Sequence, residues 1–152
     1  MRNREKVAKA LHCTDKACVG IVVATYAATL LYLLVTSGVS AAFLKALLIP
    51  LAAYLVLGAL RSWINAPRPY DSPNFTPLLE PNKSGKSFPS RHVSSGAVIA
   101  LTVMPVCIYA GVLCLVATLI LAYVRVAGGL HFYRDVLCGF CLGCLFGLLA
   151  LI

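Results

Sequence analysis

Acidic residues are scarce in this chain: five Asp and Glu stand against thirteen Lys and Arg, a formal charge of +8. Internal repeats and low-complexity tracts are missing. So is the strict alternation of polar and apolar residues that a membrane barrel would require. A complete metal set is missing too. Cys138, Cys141 and Cys144 have metal-like spacing, but apart from Asp135 no histidine or carboxylate joins them on that segment. They are read as helix-packing residues. The seven cysteines are an odd number, which argues against a fully paired disulfide framework, and all but Cys13 fall in apolar runs where cysteine acts as a small apolar residue.

Apolar surface is what the chain has in excess. With 61% hydrophobic residues in 152 and a mean hydropathy of +0.90, it carries more than a soluble core of this size can hide. The apolar runs are long and continuous, so the expected fold class is all-α, a polytopic transmembrane bundle of about five spans forming one domain over 1–152. The cations cluster in the N-terminal tail and in one polar loop. That placement favours an anionic bilayer surface or a phosphate-bearing lipid as partner over nucleic acid.

Met1 to Lys16 is basic, and its apolar Val7, Ala8, Ala10 and Leu11 suit a short helix lying on the membrane surface. His12 is read as a surface histidine. Cys18 to Thr36 is the first expected span; Val39-Ser40-Ala41 is a tolerable signal-cleavage site, but an apolar run of about nineteen residues is long for a signal peptide. Ala41 to Leu60 is the second span, with Pro50 as an expected kink. Arg61 to His92 is a polar, proline-rich loop whose length marks it for function. Val93 to Tyr109 and Val112 to Val126 are expected as spans three and four, joined by a turn at Ala110-Gly111. Asp135 to Ile152 is the fifth. Its Gly139, Gly143 and Gly147 form a small-residue stripe that suits packing within the chain in preference to self-association.

The chemistry gathers in Val124 to Asp135, where two arginines, His131 and Asp135 interrupt apolar surroundings. Ionisable groups at membrane depth are costly and usually face a polar cavity. If a helix begins near His131, Asp135 lies one turn on along the same face, able to take one ring N–H and leave the other nitrogen free. Parity over five crossings puts this turn, the polar loop and the N-terminal tail on one side. Two arginines of the segment from Arg61 to Arg68-Pro69 would share a helical face if span two ran on to about Ala66. Phe88-Pro89-Ser90-Arg91-His92 supplies a second histidine. Two histidines, one carboxylate and a set of arginines suit a tetrahedral oxyanion, which guanidinium forks grip in pairs of hydrogen bonds.

These segments resemble the three ordered motifs of the type 2 phosphatidic acid phosphatase and vanadium haloperoxidase superfamily, Lys-x6-Arg-Pro, Pro-Ser-Gly-His and Ser-Arg-x5-His-x3-Asp. Here they stand as Arg61-x6-Arg68-Pro69, Pro89-Ser90-Arg91-His92 and Val124-Arg125-x5-His131-x3-Asp135. Three positions depart: Arg61 for lysine, Arg91 for a glycine that approaches phosphate by its backbone, and Val124 for serine. The resemblance implies a small integral-membrane lipid phosphatase that needs no cofactor or divalent metal. His131 would attack phosphorus, Asp135 would fix its tautomer, and His92 would protonate the leaving oxygen and later activate water. Arg61, Arg68, Arg125 and the hydroxyl and amide of Ser90 would hold the phosphate oxygens, with Arg91 as a further cation. Trp63, Tyr70 and Tyr133 are assigned to an interfacial aromatic belt.

The implied substrates are phosphatidic acid, phosphatidylglycerophosphate or a polyprenyl diphosphate, and the implied location is a bacterial cell membrane. The basic tail places the N-terminus in the cytoplasm, and parity then places the site there, although many relatives that recycle carrier lipids act on the outer face. Two rivals remain at this stage: a catalytically silent lipid-phosphate binding or scaffold protein whose pocket Arg91 has spoiled, and a vanadium-dependent peroxidase, which the small soluble bulk disfavours.

Overall fold

A computed structural model of the protein describes residues 2–81 and 84–152, the Arg2 side chain excepted. Met1 of the basic tail and Asn82 and Lys83 of the polar loop lie outside the described residues. Among the described residues, five α-helices and one 3₁₀ turn make up the regular structure: α1 (Arg2–Ser37), α2 (Ala41–Ile64), the turn Pro69–Asp71, α3 (Arg91–Val103), α4 (Ile108–Ala127) and α5 (Tyr133–Leu148). No strand occurs among the described residues. The bundle is the expected all-α class.

The basic tail is not a separate surface helix. It forms the first turns of a continuous α1, because no proline or glycine interrupts the chain between Arg2 and Val19. At 36 residues α1 is roughly 54 Å long, well beyond a hydrocarbon core of about 30 Å. Its charged beginning reaches the polar loop, where the Arg4 guanidinium donates to the Thr76 carbonyl at 3.1 Å. His12 is exposed, as its lack of neighbours in sequence suggested.

Ser40 caps α2, its hydroxyl accepting from the Phe43 amide at 3.3 Å. Pro50 sits inside this unbroken helix. The helix ends at Ile64 instead of continuing to Ala66: Asn65 turns left-handed at φ 44°, and Pro67 bars further helix at Ala66.

The break between α3 and α4 falls at Met104 to Cys107, not at Ala110-Gly111. Pro105 cannot donate to the helical ladder, and the apolar residues around it hide the break from hydropathy. Gly111 lies inside α4, where a Cβ would come 2.7 Å from the Met104 Cα.

By length and composition, α1, α2 and α4 can cross a membrane. The helices α3 and α5, with 13 and 16 residues, are shorter. The first of these is the hub: Val93, Ala97, Val98, Ala100 and Val103 have no exposed surface. Its partner α5 presents the small-residue stripe to it. A Cβ at Gly139 would meet the Ser90 carbonyl at 2.7 Å, and one at Gly147 would meet the Leu101 Cβ at 2.6 Å, so only glycine allows this approach. Cys18 and Cys114 pack with Val22, Ala100, Ala117 and Leu121 where α1, α3 and α4 meet. The outer faces carry exposed residues such as Leu31, Leu55 and Leu119. The protein is an integral membrane helical bundle.

Candidate active site

At one end of the bundle, the loop after α2, the start of α3 and the turn between α4 and α5 enclose a polar cavity of about 550 Å³. The loop is tied to the turn by the Leu78 and Leu79 amides, which donate to the Gly128 carbonyl at 3.0 and 3.1 Å. Gly129, at φ 76°, lets the chain reverse there. The Leu130 and His131 amides then donate back to the Arg125 carbonyl at 3.0 and 3.3 Å, fixing His131 against the end of α4.

His131 stands just before α5, not within it. Its Nδ1 lies 3.5 Å from the Asp135 Oδ2. That same oxygen accepts from the Phe132 amide at 3.0 Å and from the Ser87 hydroxyl. Ser87 Oγ is also 3.3 Å from His131 Nδ1. With Nδ1 committed on this side, Nε2 is the nitrogen left for the cavity, which His131 lines. Burial pushes His131 below the ordinary imidazole range, partly offset by Asp135, while the Arg68 and Arg61 charges push the same way as burial. The ring is therefore neutral at neutral pH.

His92 projects from the first turn of α3, outside the three long spans, and lines the same cavity. It is exposed by area, yet its surface forms the walls of two cavities. Burial of the ring, then Arg125, Arg91, His131 and Arg61, push its pKa down to about 3. Arg61, Arg68, Lys86, Arg91 and Arg125 complete the wall, five cations with no carboxylate among the described lining residues. Such a lining attracts a multiply charged anion.

The arginines are not interchangeable. Arg61 is buried, and its fork donates to the Pro89 carbonyl at 2.8 Å and to the Lys86 carbonyl, which fastens the loop over the end of α2. Arg68 reaches the cavity from the loop, not from a shared helical face. Its Nε donates to the Gly85 carbonyl at 2.9 Å, and its amide donates to Asp71 Oδ2 at 2.7 Å, which also accepts from the Gly85 amide at 3.1 Å. Arg91 lies 5.2 Å from the Tyr54 ring centroid and donates to the Tyr54 hydroxyl at 3.2 Å. Arg125, near the end of α4, pairs with Asp15 of α1.

Ser90 departs from its expected position. It is fully buried behind the cavity wall, its amide donates to the Asp135 carbonyl at 2.8 Å, and its hydroxyl has no hydrogen-bond partner among the described residues. The amide is thus engaged in holding α3 to α5 and is not free for phosphate. Tyr70 also departs from the aromatic belt: it lies 5.7 Å beneath the Arg68 guanidinium and packs on Leu79, Val124 and Leu130. Trp63 and Tyr133 are highly exposed.

Ser87, Asp71, Lys86 and Asp15 belong to the site or its supports and were not singled out from the sequence. Asp71 follows Arg68 by three residues after a proline, a spacing that suits a carboxylate capping a short turn. Asp15 could have been flagged by the rarity of acidic residues. Ser87 sits in irregular loop and carries no such signal.

An apolar cleft of about 280 Å³ adjoins the polar cavity and shares Arg91 and His92 with it. Val19, Val22, Tyr54, Ile99 and Leu121 line its far side.

The fold is similar to Aquifex aeolicus LpxE, with a TM-score of 0.75 at 19% identity over 95% of this chain and 85% of that one. It is also similar to a PAP2-type phosphatidylglycerolphosphate phosphatase of Bacillus subtilis, with a TM-score of 0.68 at 24% identity over 98% and 83%. In sequence, 36% identity over 101 residues joins the chain to an undecaprenyl-diphosphatase of Sulfolobus acidocaldarius, covering 64% of this chain and 48% of that protein. The chain thus spans about half the length of this relative. The model of the PAP2 superfamily matches residues 41–152, which hold every residue lining the polar cavity, and the chain belongs to that superfamily.

Proposed function

We propose that this protein is a membrane lipid phosphatase that works through a phosphohistidine at His131, with its site at the membrane interface of a cell membrane and on the same side as its N-terminus. One observation carries the reading: a neutral, carboxylate-backed imidazole and a second imidazole face one cavity walled by five cations, and that cavity adjoins an apolar cleft. The polar cavity suits a phosphate or diphosphate. The cleft suits the hydrocarbon that follows it.

The steps follow from the placement of the groups. His131 Nε2 attacks phosphorus as the bond from phosphorus to the leaving oxygen breaks, and His92, which gains a proton once the substrate's negative charge offsets the cations around it, supplies the proton that oxygen needs. Asp135 and Ser87 hold Nδ1 so that the ring points one way and its new positive charge is balanced. The guanidinium groups and Lys86 offset the negative charge that grows on the equatorial oxygens. Water activated by the now neutral His92 then cleaves the phosphorus–nitrogen bond and frees phosphate. This sequence of steps needs no metal.

Among substrates, a polyprenyl diphosphate is the reading we favour over phosphatidic acid and phosphatidylglycerophosphate. Arg91, where the family motif has glycine, stands at the junction of the two cavities and can meet a second phosphate beyond the one attacked. The likeness to an undecaprenyl-diphosphatase supports the same choice.

The test is phosphate release by the purified protein in detergent with a chelator present, on a panel of these lipids. Release lost in His131→Ala, with a phosphoenzyme trapped in His92→Ala, is expected. Tight binding of the lipids without release would instead make the protein a lipid-phosphate binding module.

A further inference from the structure

Arg125 is held differently from the other cavity arginines. Arg61 and Arg68 donate to backbone carbonyls and Arg91 to a tyrosine hydroxyl, but Arg125 meets a carboxylate from another helix. Asp15 of α1 approaches it side-on: Nε lies 2.7 Å from Oδ1, and Nη2 donates to Oδ2 at 3.0 Å. Both side chains are largely buried, 9% and 16% exposed. The aligned hydrogen bond is the one from Nη2; the Nε approach is a close ion pair, since neither Nε nor Oδ1 has a hydrogen-bond partner among the described residues.

We propose that Asp15 is a positioning residue for Arg125, a carboxylate delivered by α1 that fixes the guanidinium with its free edge toward the substrate phosphate. A guanidinium carries five N–H donors in a rigid fork. Asp15 occupies the edge made by Nε and Nη2, leaving both Nη1 protons and the second Nη2 proton. Arg125 also lines the cavity, so those donors are the ones available to an anion there. The arrangement repeats that of His131, whose Asp135 likewise holds one side of the ring and leaves the other to react.

Two consequences follow. A buried arginine without a partner on its back edge would be free to swing, and a phosphate grip gains from donors that are already aligned. Asp15 also cancels one of the cavity's five positive charges, which eases departure of the product phosphate. The residue lies outside residues 41–152, so α1 contributes to the site from beyond the region matched by the family.

This inference rests on the phosphatase reading, and a double-mutant cycle keeps the two apart. Asp15→Asn is expected to lower kcat about 10- to 100-fold while changing KM by less than about threefold, the mark of a lost transition-state contact. Affinity for vanadate, followed by thermal shift in detergent, should fall with it. In an Arg125→Gln background the same substitution should change either quantity by less than about twofold, because its effect runs through Arg125. A mere clamp between α1 and α4 would cost stability and leave the vanadate and kcat readouts unmoved.

If Asp15→Asn does not fold, Asp15→Glu carries the same cycle, since a longer carboxylate misplaces the fork while keeping the charge. Wild-type protein with no phosphate release overturns the phosphatase reading, and the vanadate arm then still decides the role of Asp15. Unchanged kcat and vanadate affinity in the variant, or an equal loss with and without Arg125, overturns the positioning role.

Discussion

His131 and Asp135 meet across the start of α5, Nδ1 to Oδ2 at 3.5 Å, with the Ser87 hydroxyl touching both. The carboxylate is fully buried and takes the Phe132 amide as well, so its position is fixed by the chain itself. Asp135→Asn keeps the volume but offers an amide to Nδ1 and favours the wrong tautomer. Its kcat for phosphate release should fall on the order of 10³-fold, as expected when a buried acid that orients a catalytic imidazole is neutralised. Ser87→Ala should cost about 10-fold, measured in the same assay, because Asp135 keeps its Phe132 contact.

Much of this site was legible because its residues are expensive where they stand. Charges beside apolar runs pointed to Arg61, Arg68, His92, Arg125, His131 and Asp135, and the helical class followed from long unbroken hydropathy. What escaped was set by backbone details. Asn65 in the left-handed region stops α2 early, so Arg61 and Arg68 converge through the loop and not along a helix. Pro105 ends α3 within a stretch whose hydropathy never falters. Asp15 was hidden for another reason: its partner is 110 residues away, and no local spacing records such a pairing.

Binding of an oxyanion should draw a proton onto His92. Burial and then Arg125, Arg91, His131 and Arg61 hold this ring at about 3, so it is neutral across the ordinary pH range. A bound anion offsets those cations and favours the charged ring, raising its pKa. By linkage, protons are taken up on binding at pH values between the free and bound pKa, and affinity declines as pH rises through the bound value. Calorimetry of vanadate binding near pH 6, in buffers of different ionisation enthalpy, should give up to about one more proton per anion for wild type than for His92→Asn. Equal proton uptake would remove His92 from its proposed role as acid.

Arg91→Gly restores the residue of the family motif and empties the junction between the polar cavity and the apolar cleft. Loss of one guanidinium contact to a second phosphate should lower kcat/KM for a polyprenyl diphosphate about 10- to 100-fold, and for the matching monophosphate less than about threefold. Competition assays with farnesyl diphosphate and farnesyl phosphate measure the ratio directly. A common factor for both substrates would mean that Arg91 acts as a general cation without selecting between them.

Close approach of α3 and α5 carries His92 and Asp135 to the same end of the bundle, so packing and the placement of the candidate site share the glycine stripe. A Cβ at Gly139 would collide with the Ser90 carbonyl at 2.7 Å, and backbone cannot step aside as a flexible side chain can. Gly139→Val should destabilise the protein by about 1–3 kcal/mol and also shift the start of α3. Thermal unfolding in detergent reads the first effect. Phosphate release reads the second, and it should fall more steeply than the folded fraction at the assay temperature.

Sidedness can be read from cysteines already in the chain. Cys13 and Cys107 are both exposed and mark opposite ends of the bundle: Cys13 is two residues before Asp15 at the cavity end, and Cys107 closes the turn between α3 and α4. In a background otherwise free of cysteine, a membrane-impermeant thiol reagent on intact cells should modify one and spare the other. The basic residues of early α1 lie at the cavity end, and the positive-inside rule places them in the cytoplasm. Cys107 should therefore be labelled and Cys13 protected until the membrane is opened. The reverse pattern would put the cavity on the outer face, where the net charge of the N-terminal turns would have to be held against the usual bias. Labelling of both at equal rates would contradict a bundle whose two ends lie on opposite sides of the bilayer.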